Sequence, residues 1–205
     1  MKLYEMAKAP NPRRVRMFLA EKGLLDHVKR VEIDLKEGEN LTPEFVAKNP
    51  MKTVPVLELN DGTCISESMA ICRYMEQQFP NTQNLLGKTS RESALIEQWL
   101  RWLEFQFFLP TGMAFQHLTG YFEDRMTTNE AWGNDCKLKV ERFYDFLDEQ
   151  LQGETWICVN RFTVADITAF CTIQFARVID VRILPEHKNL QAWYKRMESR
   201  DSAKV

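Results

Sequence analysis

Two short segments carry the residue types most able to do chemistry. Residues 49–56 read N-P-M-K-T-V-P-V, and Glu67-Ser68-Met69-Ala70-Ile71 follow soon after. A proline entering a strand has no N–H for the ladder, so it belongs at an edge or at the strand's first residue. When that X–Pro bond is cis, the residue before it, here Val54, can turn its backbone N–H and C=O outward to a ligand; cis bonds are rare and usually purposeful. Glu67-Ser68 opens a helix, where free N–H groups and the positive dipole end favour a carboxylate. An extended backbone caught at Val54 and a carboxylate caught at Ser68 describe a peptide-like small molecule. A Val-Pro pair alone is only an edge device; the order and spacing of the whole set point to a ligand.

These residues need a scaffold, and the flanking sequence supplies one. Asn60-Asp61-Gly62 sits between the apolar runs Val56–Leu59 and Thr63–Ile65, a strong hairpin signal. Leu3 and Tyr4 lie in a first strand. After Pro10-Asn11-Pro12, Val15, Phe18 and Leu19 form an i, i+3, i+4 stripe that ends at Gly23. Residues 31–35 alternate as a second strand. Thr42 and Pro43 start a short helix as N-cap and first helical residue. The helix after the hairpin carries Ile71, Tyr74, Met75 and Phe79 on one face and stops before Pro80. The order β-α-β-α-β-β-α over residues 1–79 resembles a thioredoxin-like domain.

Residues 80–88 read as a polar linker, and residues 89–205 as an all-helical domain. There Leu95, Trp99 and Trp102 form one stripe before Pro110 and Gly112 interrupt, and Val140, Phe143, Tyr144, Leu147 and Leu151 form another. Thr163-x-x-Asp166 is a capping box, with Phe162 and Ile167 as its hydrophobic staple. Loss of such a cap costs about 0.5–2 kcal/mol.

Composition narrows the function. With 27 basic against 29 acidic residues, the net charge of −2 offers no nucleic-acid footprint. No stretch approaches the roughly 20 apolar residues of a membrane span, and the N-terminus lacks a signal-peptide layout. The five scattered cysteines, never in C-x-x-C, read as reduced cytoplasmic thiols rather than disulfides or a metal site.

Asn49-Pro50-x-x-x-Val54-Pro55 followed by Glu67-Ser68 resembles the glutathione site of the cytosolic glutathione transferase superfamily, and the resemblance extends over nearly the whole chain. It implies a thioredoxin-like α/β N-terminal domain plus an all-α C-terminal domain, the glutathione transferase fold. It also implies that Val54, before a cis Pro55, pairs with the cysteinyl part of glutathione. Ser68 and Glu67 would hold the γ-glutamyl end. Asn40, Thr53 and Lys52 stand where relatives bind the rest of the peptide, with Lys36 as another cation.

Glutathione chemistry needs a thiolate, and a free thiol titrates at about 8.5. A hydrogen-bond donor and a helix N-terminus beside the sulfur lower that value. Serine-type relatives place a serine, and omega-type relatives a cysteine, at or close to the position of Ala9, which has neither group. Tyr4, the tyrosine-type candidate, packs inward. The remaining donor is Asn11, in an A-P-N segment similar to the T-P-N of nu-type enzymes; its amide either donates to the sulfur or caps the helix, and both roles can coexist.

The resemblance places an electrophile pocket between the domains, at Ala9, Phe107, Phe108, Met113, Phe115 and His117. The expected activity is conjugation of the thiolate to a small apolar electrophile, a detoxification reaction, in a cytoplasmic homodimer with no metal, nucleic acid or membrane partner. Glutathione-dependent disulfide or peroxide reduction is an alternative, suggested by Ala9-Pro10-Asn11. Dicarboxylate isomerisation is disfavoured by the missing serine-rich turn of zeta enzymes. A non-catalytic, transferase-like interaction module is the third.

Overall fold

The computed structural model describes residues 1–205. The chain divides into two compact units: residues 1–86 with residues 201–205, and residues 87–200.

The first unit is a four-stranded sheet in the order β2-β1-β3-β4. In sequence it runs β1 (Lys2–Glu5), α1 (Pro10–Glu21), β2 (Lys29–Glu32), α2 (Pro43–Lys48), β3 (Val56–Glu58), β4 (Cys64–Ser66) and α3 (Ser68–Gln78). Strand β1 pairs parallel with β2 and antiparallel with β3, which pairs antiparallel with β4. Alternation sends Tyr4 and Val56 to one face, where they meet Phe45 of α2, Ile33 and Val54. Leu3 and Leu57, paired with each other, are fully buried on the opposite face. The second strand begins at Lys29, earlier than the alternation predicts. Ladder pairing decides this: β1 ends at Glu5, whose carbonyl takes the Ile33 N–H at 2.7 Å, and Asp34 has no strand beside it.

Residues 80–86 are not a free linker. Leu85 is fully buried, and the Leu85 N–H donates to a Glu76 carboxylate oxygen at 3.0 Å. The other Glu76 oxygen takes the buried Lys22 ammonium at 2.8 Å, which also donates to the Gln83 carbonyl at 2.8 Å. Residues 201–204 likewise differ from expectation: they form a 3-10 turn that belongs to the first unit. There Arg13 donates to the Ala203 carbonyl at 2.8 Å, and the Ser202 hydroxyl donates to Glu21.

The second unit is all helical: α4 (Ser90–Trp102), α5 (Leu109–Leu118), α6 (Glu130–Gln150), α7 (Val164–Ala176) and α8 (Lys188–Glu198). Pro110 does not interrupt the first stripe. A π-helical segment, residues 103–108, joins α4 directly to α5, and the Leu109 N–H donates to the Glu104 carbonyl five residues back. The widened turn places Pro110 in the first turn of α5, where its missing N–H costs little. Helices α5 and α6 approach closely at Gly133, where a Cβ would sit 2.7 Å from the Leu118 side chain.

The capping box at Thr163 is formed as expected, and its acid does more than cap. Asp166 is fully buried and accepts from the Thr163 N–H (2.9 Å), the Ile157 N–H (3.1 Å) and the indole N–H of fully buried Trp193 (2.9 Å). Asp166→Ala strips three buried donors of their acceptor, so it should cost about 2–5 kcal/mol in chemical denaturation, more than a cap alone. Burial also pushes the carboxyl up to about 6, so between roughly pH 4 and 6 the native state holds a proton that the unfolded chain has released. This group's contribution to stability therefore falls as pH rises through that window and levels off above it. Stability measured against pH should show Asp166→Asn losing that descent relative to the parent chain.

Candidate functional site

Register brings the site together. The pairs Tyr4↔Val56 and Val56↔Ser66 set the end of β1, the start of β3 and the end of β4 at one edge of the sheet. Three backbone segments leave the sheet there: the turn into α1, the loop before β3 and the entry to α3.

The loop before β3 is built by Asn49, which is 1% exposed. Its amide donates to the Thr53 carbonyl at 2.8 Å and hydroxyl at 3.1 Å, and its carbonyl oxygen takes the Met51 N–H at 3.1 Å. Asn40 closes the loop from outside by donating to the Lys52 carbonyl at 2.7 Å. The Asn40 side-chain oxygen remains buried without a partner. Lys52 turns the chain at φ 59°, and its side chain is exposed. The Val54–Pro55 bond is cis, and both residues are buried where the chain enters β3.

Glu67 is the N-cap of α3 at φ 69°, ψ 120°, a backbone conformation that costs an L-residue about 1–3 kcal/mol. Its side chain is exposed and caps nothing. Ser68, the first helical residue, is 6% exposed, and neither its hydroxyl nor the first N–H groups of α3 are met by a capping side chain. A strained backbone that aims uncapped donors at one point suits an anionic ligand better than it suits helix stability.

The turn into α1 is clamped by charge. Glu5, 1% exposed, pairs with the buried Arg16 guanidinium, which also donates to the Ala7 carbonyl at 2.7 Å. The Ala7 N–H donates to Glu32 at 2.9 Å. The N-cap of α1 is Ala9, whose own N–H is spent on the Met6 carbonyl at 2.9 Å. Asn11 is therefore not the cap; it is the second residue of the helix, and no side chain bonds that terminus. Pro10 and Pro12 carry no N–H and Arg13 already donates to Ala9, so Asn11 supplies the one orphan backbone donor of the first turn, with its amide beside it. The Tyr4 hydroxyl is committed elsewhere, donating at 2.8 Å to Glu58, which Lys48, Lys2 and Tyr4 together hold down to about 2.

The remaining candidates lie in the second unit. Phe107 is fully buried, stacked on Phe143 with centroids 4.8 Å apart, and belongs to that unit's core rather than to a pocket wall. Phe115 joins Tyr121 (5.3 Å), Phe122 and Phe175 (5.4 Å) in a half-exposed aromatic group, with Phe108 also against Phe175. Met113 is half-buried. His117 accepts the Asn129 N–H on Nδ1 at 3.0 Å, which fixes its ring. Sequence reasoning used Asn49 only as a motif letter and overlooked Arg16 and Glu32. The Asn-Pro pair carried an Asx-turn signal for the first; nothing local marks the other two.

Comparison with known proteins agrees with this architecture. Residues 9–78 match the family described as "Glutathione S-transferase, N-terminal domain", and residues 108–201 the corresponding C-terminal domain. "Glutathione S-transferase 2" of Saccharomyces cerevisiae is 37% identical, over 100% of this chain and 88% of the yeast protein. The crystal structure of Gtt2 from Saccharomyces cerevisiae superposes with a TM-score of 0.94 at 37% identity, covering 100% of this chain and 99% of that one. A class Gtt2 glutathione S-transferase of Vibrio parahaemolyticus gives 0.84 at 36% identity, covering 98% and 94%. With the sheet, the cis-proline loop and both domain matches in agreement, the chain belongs to the glutathione S-transferase family.

Proposed function

We propose that this protein binds glutathione at the sheet edge of the first unit and conjugates its thiolate to a small apolar electrophile. The observation that carries the reading is the convergence of Val54, Ser68 and the α1 N-terminus on that edge. The names of the similar proteins support glutathione as the co-substrate. In this reading Val54 pairs its backbone with the cysteinyl residue. The Ser68 hydroxyl and the open N–H groups of α3 hold the γ-glutamyl carboxylate, and Glu67 faces the ammonium. Asn40, Thr53 and Lys52 frame the glycyl end. Ala9 keeps the sulfur's approach clear, and Asn11 stabilises its anion through the amide and the N–H. The sulfur lone pair then forms the C–S bond as the leaving group departs with its electrons.

Phe108, Met113, Phe115 and His117 are the proposed electrophile contacts. The homodimer reading draws support from Trp102, Phe105 and Leu109, large apolar side chains left exposed along the run from α4 into α5; light scattering tests it. A cytoplasmic setting suits cysteines that form no disulfide. No helix is long and apolar enough to cross a membrane. An activity panel of aryl halide, disulfide and hydroperoxide substrates tests the chemistry: turnover on the aryl halide is expected, and turnover confined to the other two would replace conjugation with reduction.

Ser68→Ala should weaken glutathione binding by about 1–3 kcal/mol in calorimetry while leaving the melting temperature in place, since α3 keeps its buried face. An unchanged dissociation constant would remove Ser68 from the site.

Asn11→Ala should raise the apparent thiol pKa in the pH profile of turnover and slow the reaction, toward the low end of the 10²–10³-fold that one preorganised donor supplies. The backbone N–H of residue 11 survives the substitution, which limits the loss. Because Asn11 does not cap α1, its thermal stability should hold, and a lower melting temperature with an unmoved pKa would refute the assignment.

A further inference from the structure

Of the eight glycines, all but one have a structural reason to be glycine. Six adopt a positive φ, and Gly133 stands where a Cβ would run into Leu118. Gly112 has neither reason. It sits inside α5 with an ordinary helical backbone, and a Cβ there would meet nothing within 4 Å. Glycine is the poorest helix former after proline, so alanine would serve α5 better at this position. What Gly112 provides is open space.

That space has aromatic borders. Phe108 lies four residues before Gly112 and Phe115 three residues after it, the spacings that share a helix face. The two phenylalanines are separated by about 10 Å along the helix axis. Both are half-buried, and both meet half-buried Phe175 of α7, with ring centroids 6.1 and 5.4 Å away. Phe115 also meets Tyr121 at 5.3 Å and Phe122 at 6.0 Å, so three rings brace it. Phe108 ends the π-helical segment, a distortion that proteins often keep at functional sites. No side-chain polar atom stands among Phe108, Gly112, Phe115 and Phe175. Rings bordering a gap receive another ring well, edge-on or offset.

We propose that Gly112 is a specificity-determining residue for the conjugation reaction, and that the opening it leaves takes a planar aromatic substituent of the electrophile. This rests on the glutathione reading, in which Phe108 and Phe115 contact the electrophile, and adds the position that decides which electrophiles fit. The substituent lies along α5 over Gly112, with Phe108 and Phe115 at its ends and Phe175 beside them. A side chain at position 112 takes the same place.

The test is calorimetry on the full chain with glutathione, S-methylglutathione and S-benzylglutathione; the two conjugates differ by one phenyl ring. The benzyl conjugate is expected to bind about tenfold tighter than the methyl one. Gly112→Leu should cancel that preference while glutathione itself still binds. Gly112→Ala should raise the melting temperature by about 2–4 °C, as expected where a Cβ enters open space on a helix. Turnover should follow the affinities on allyl chloride and benzyl chloride, where the thiolate forms the C–S bond as chloride departs with its electrons. The ratio of kcat/KM for benzyl over allyl chloride should fall about tenfold in Gly112→Leu. No ring preference in the parent chain, a preference that survives Gly112→Leu, or a lower melting temperature in Gly112→Ala would each overturn the proposal and leave the glutathione reading standing. Failure of glutathione itself to bind the parent chain would instead remove that reading, and the proposal with it.

Discussion

The site depends on one backbone constraint, the antiparallel register that pairs Tyr4 with Val56 and Val56 with Ser66. A slip of one residue in either pairing would turn Val56 and Tyr4 away from Phe45 and expose them, so apolar burial holds the register. The same pairing delivers the turn into α1, the cis-proline loop and the entry to α3 to one edge. Core packing and ligand geometry are thus read from the same pair of ladders. The turn into α1 adds a second lock, in which charged side chains hold both polar groups of the Ala7 peptide.

What the edge offers is donors that the protein has declined to satisfy. Helix α1 begins at an alanine with no cap, and α3 at a strained glutamate whose side chain caps nothing. Elsewhere Thr42, Thr89, Asn129 and Thr163 cap α2, α4, α6 and α7, each accepting a backbone N–H, and Asp148 accepts the Leu190 N–H in the first turn of α8. The contrast is local, and it falls where an anion is proposed to sit. Prolines 10 and 12 make the omission at α1 inexpensive, because two of the N–H groups that would need a cap do not exist.

Much of this was legible from sequence because the signals were short in range. Proline before a strand, Asn-Asp-Gly between apolar runs and the Thr163-x-x-Asp166 box each act within a few residues, and each is found as read. The misreadings arose where distant partners decide. Pro110 looked like a stop until a π segment absorbed it, and Phe107 looked like a pocket wall until Phe143 stacked on it. Of the two roles open to Asn11, the cap falls away because the preceding Ala9-Pro10 pair has already started the helix. The contacts from Asp166 to Ile157 and Trp193, and from Arg16 to Glu5, join positions too far apart for any local pattern to reveal.

The 3-10 turn at residues 201–204 makes the first unit discontinuous in sequence, with the whole second unit inserted between its two parts. A fragment cut at the unit boundary near residue 86 would lack the Ala203 carbonyl that Arg13 donates to and the Ser202 hydroxyl that meets Glu21. Helix α1 would lose partners at Arg13, two residues from Asn11, and at Glu21, its last residue. Dissecting this protein into modules along its primary sequence would therefore perturb the helix that carries the proposed thiolate donor. A faithful excision of the first unit needs a permuted or fused chain that brings residues 201–205 with it.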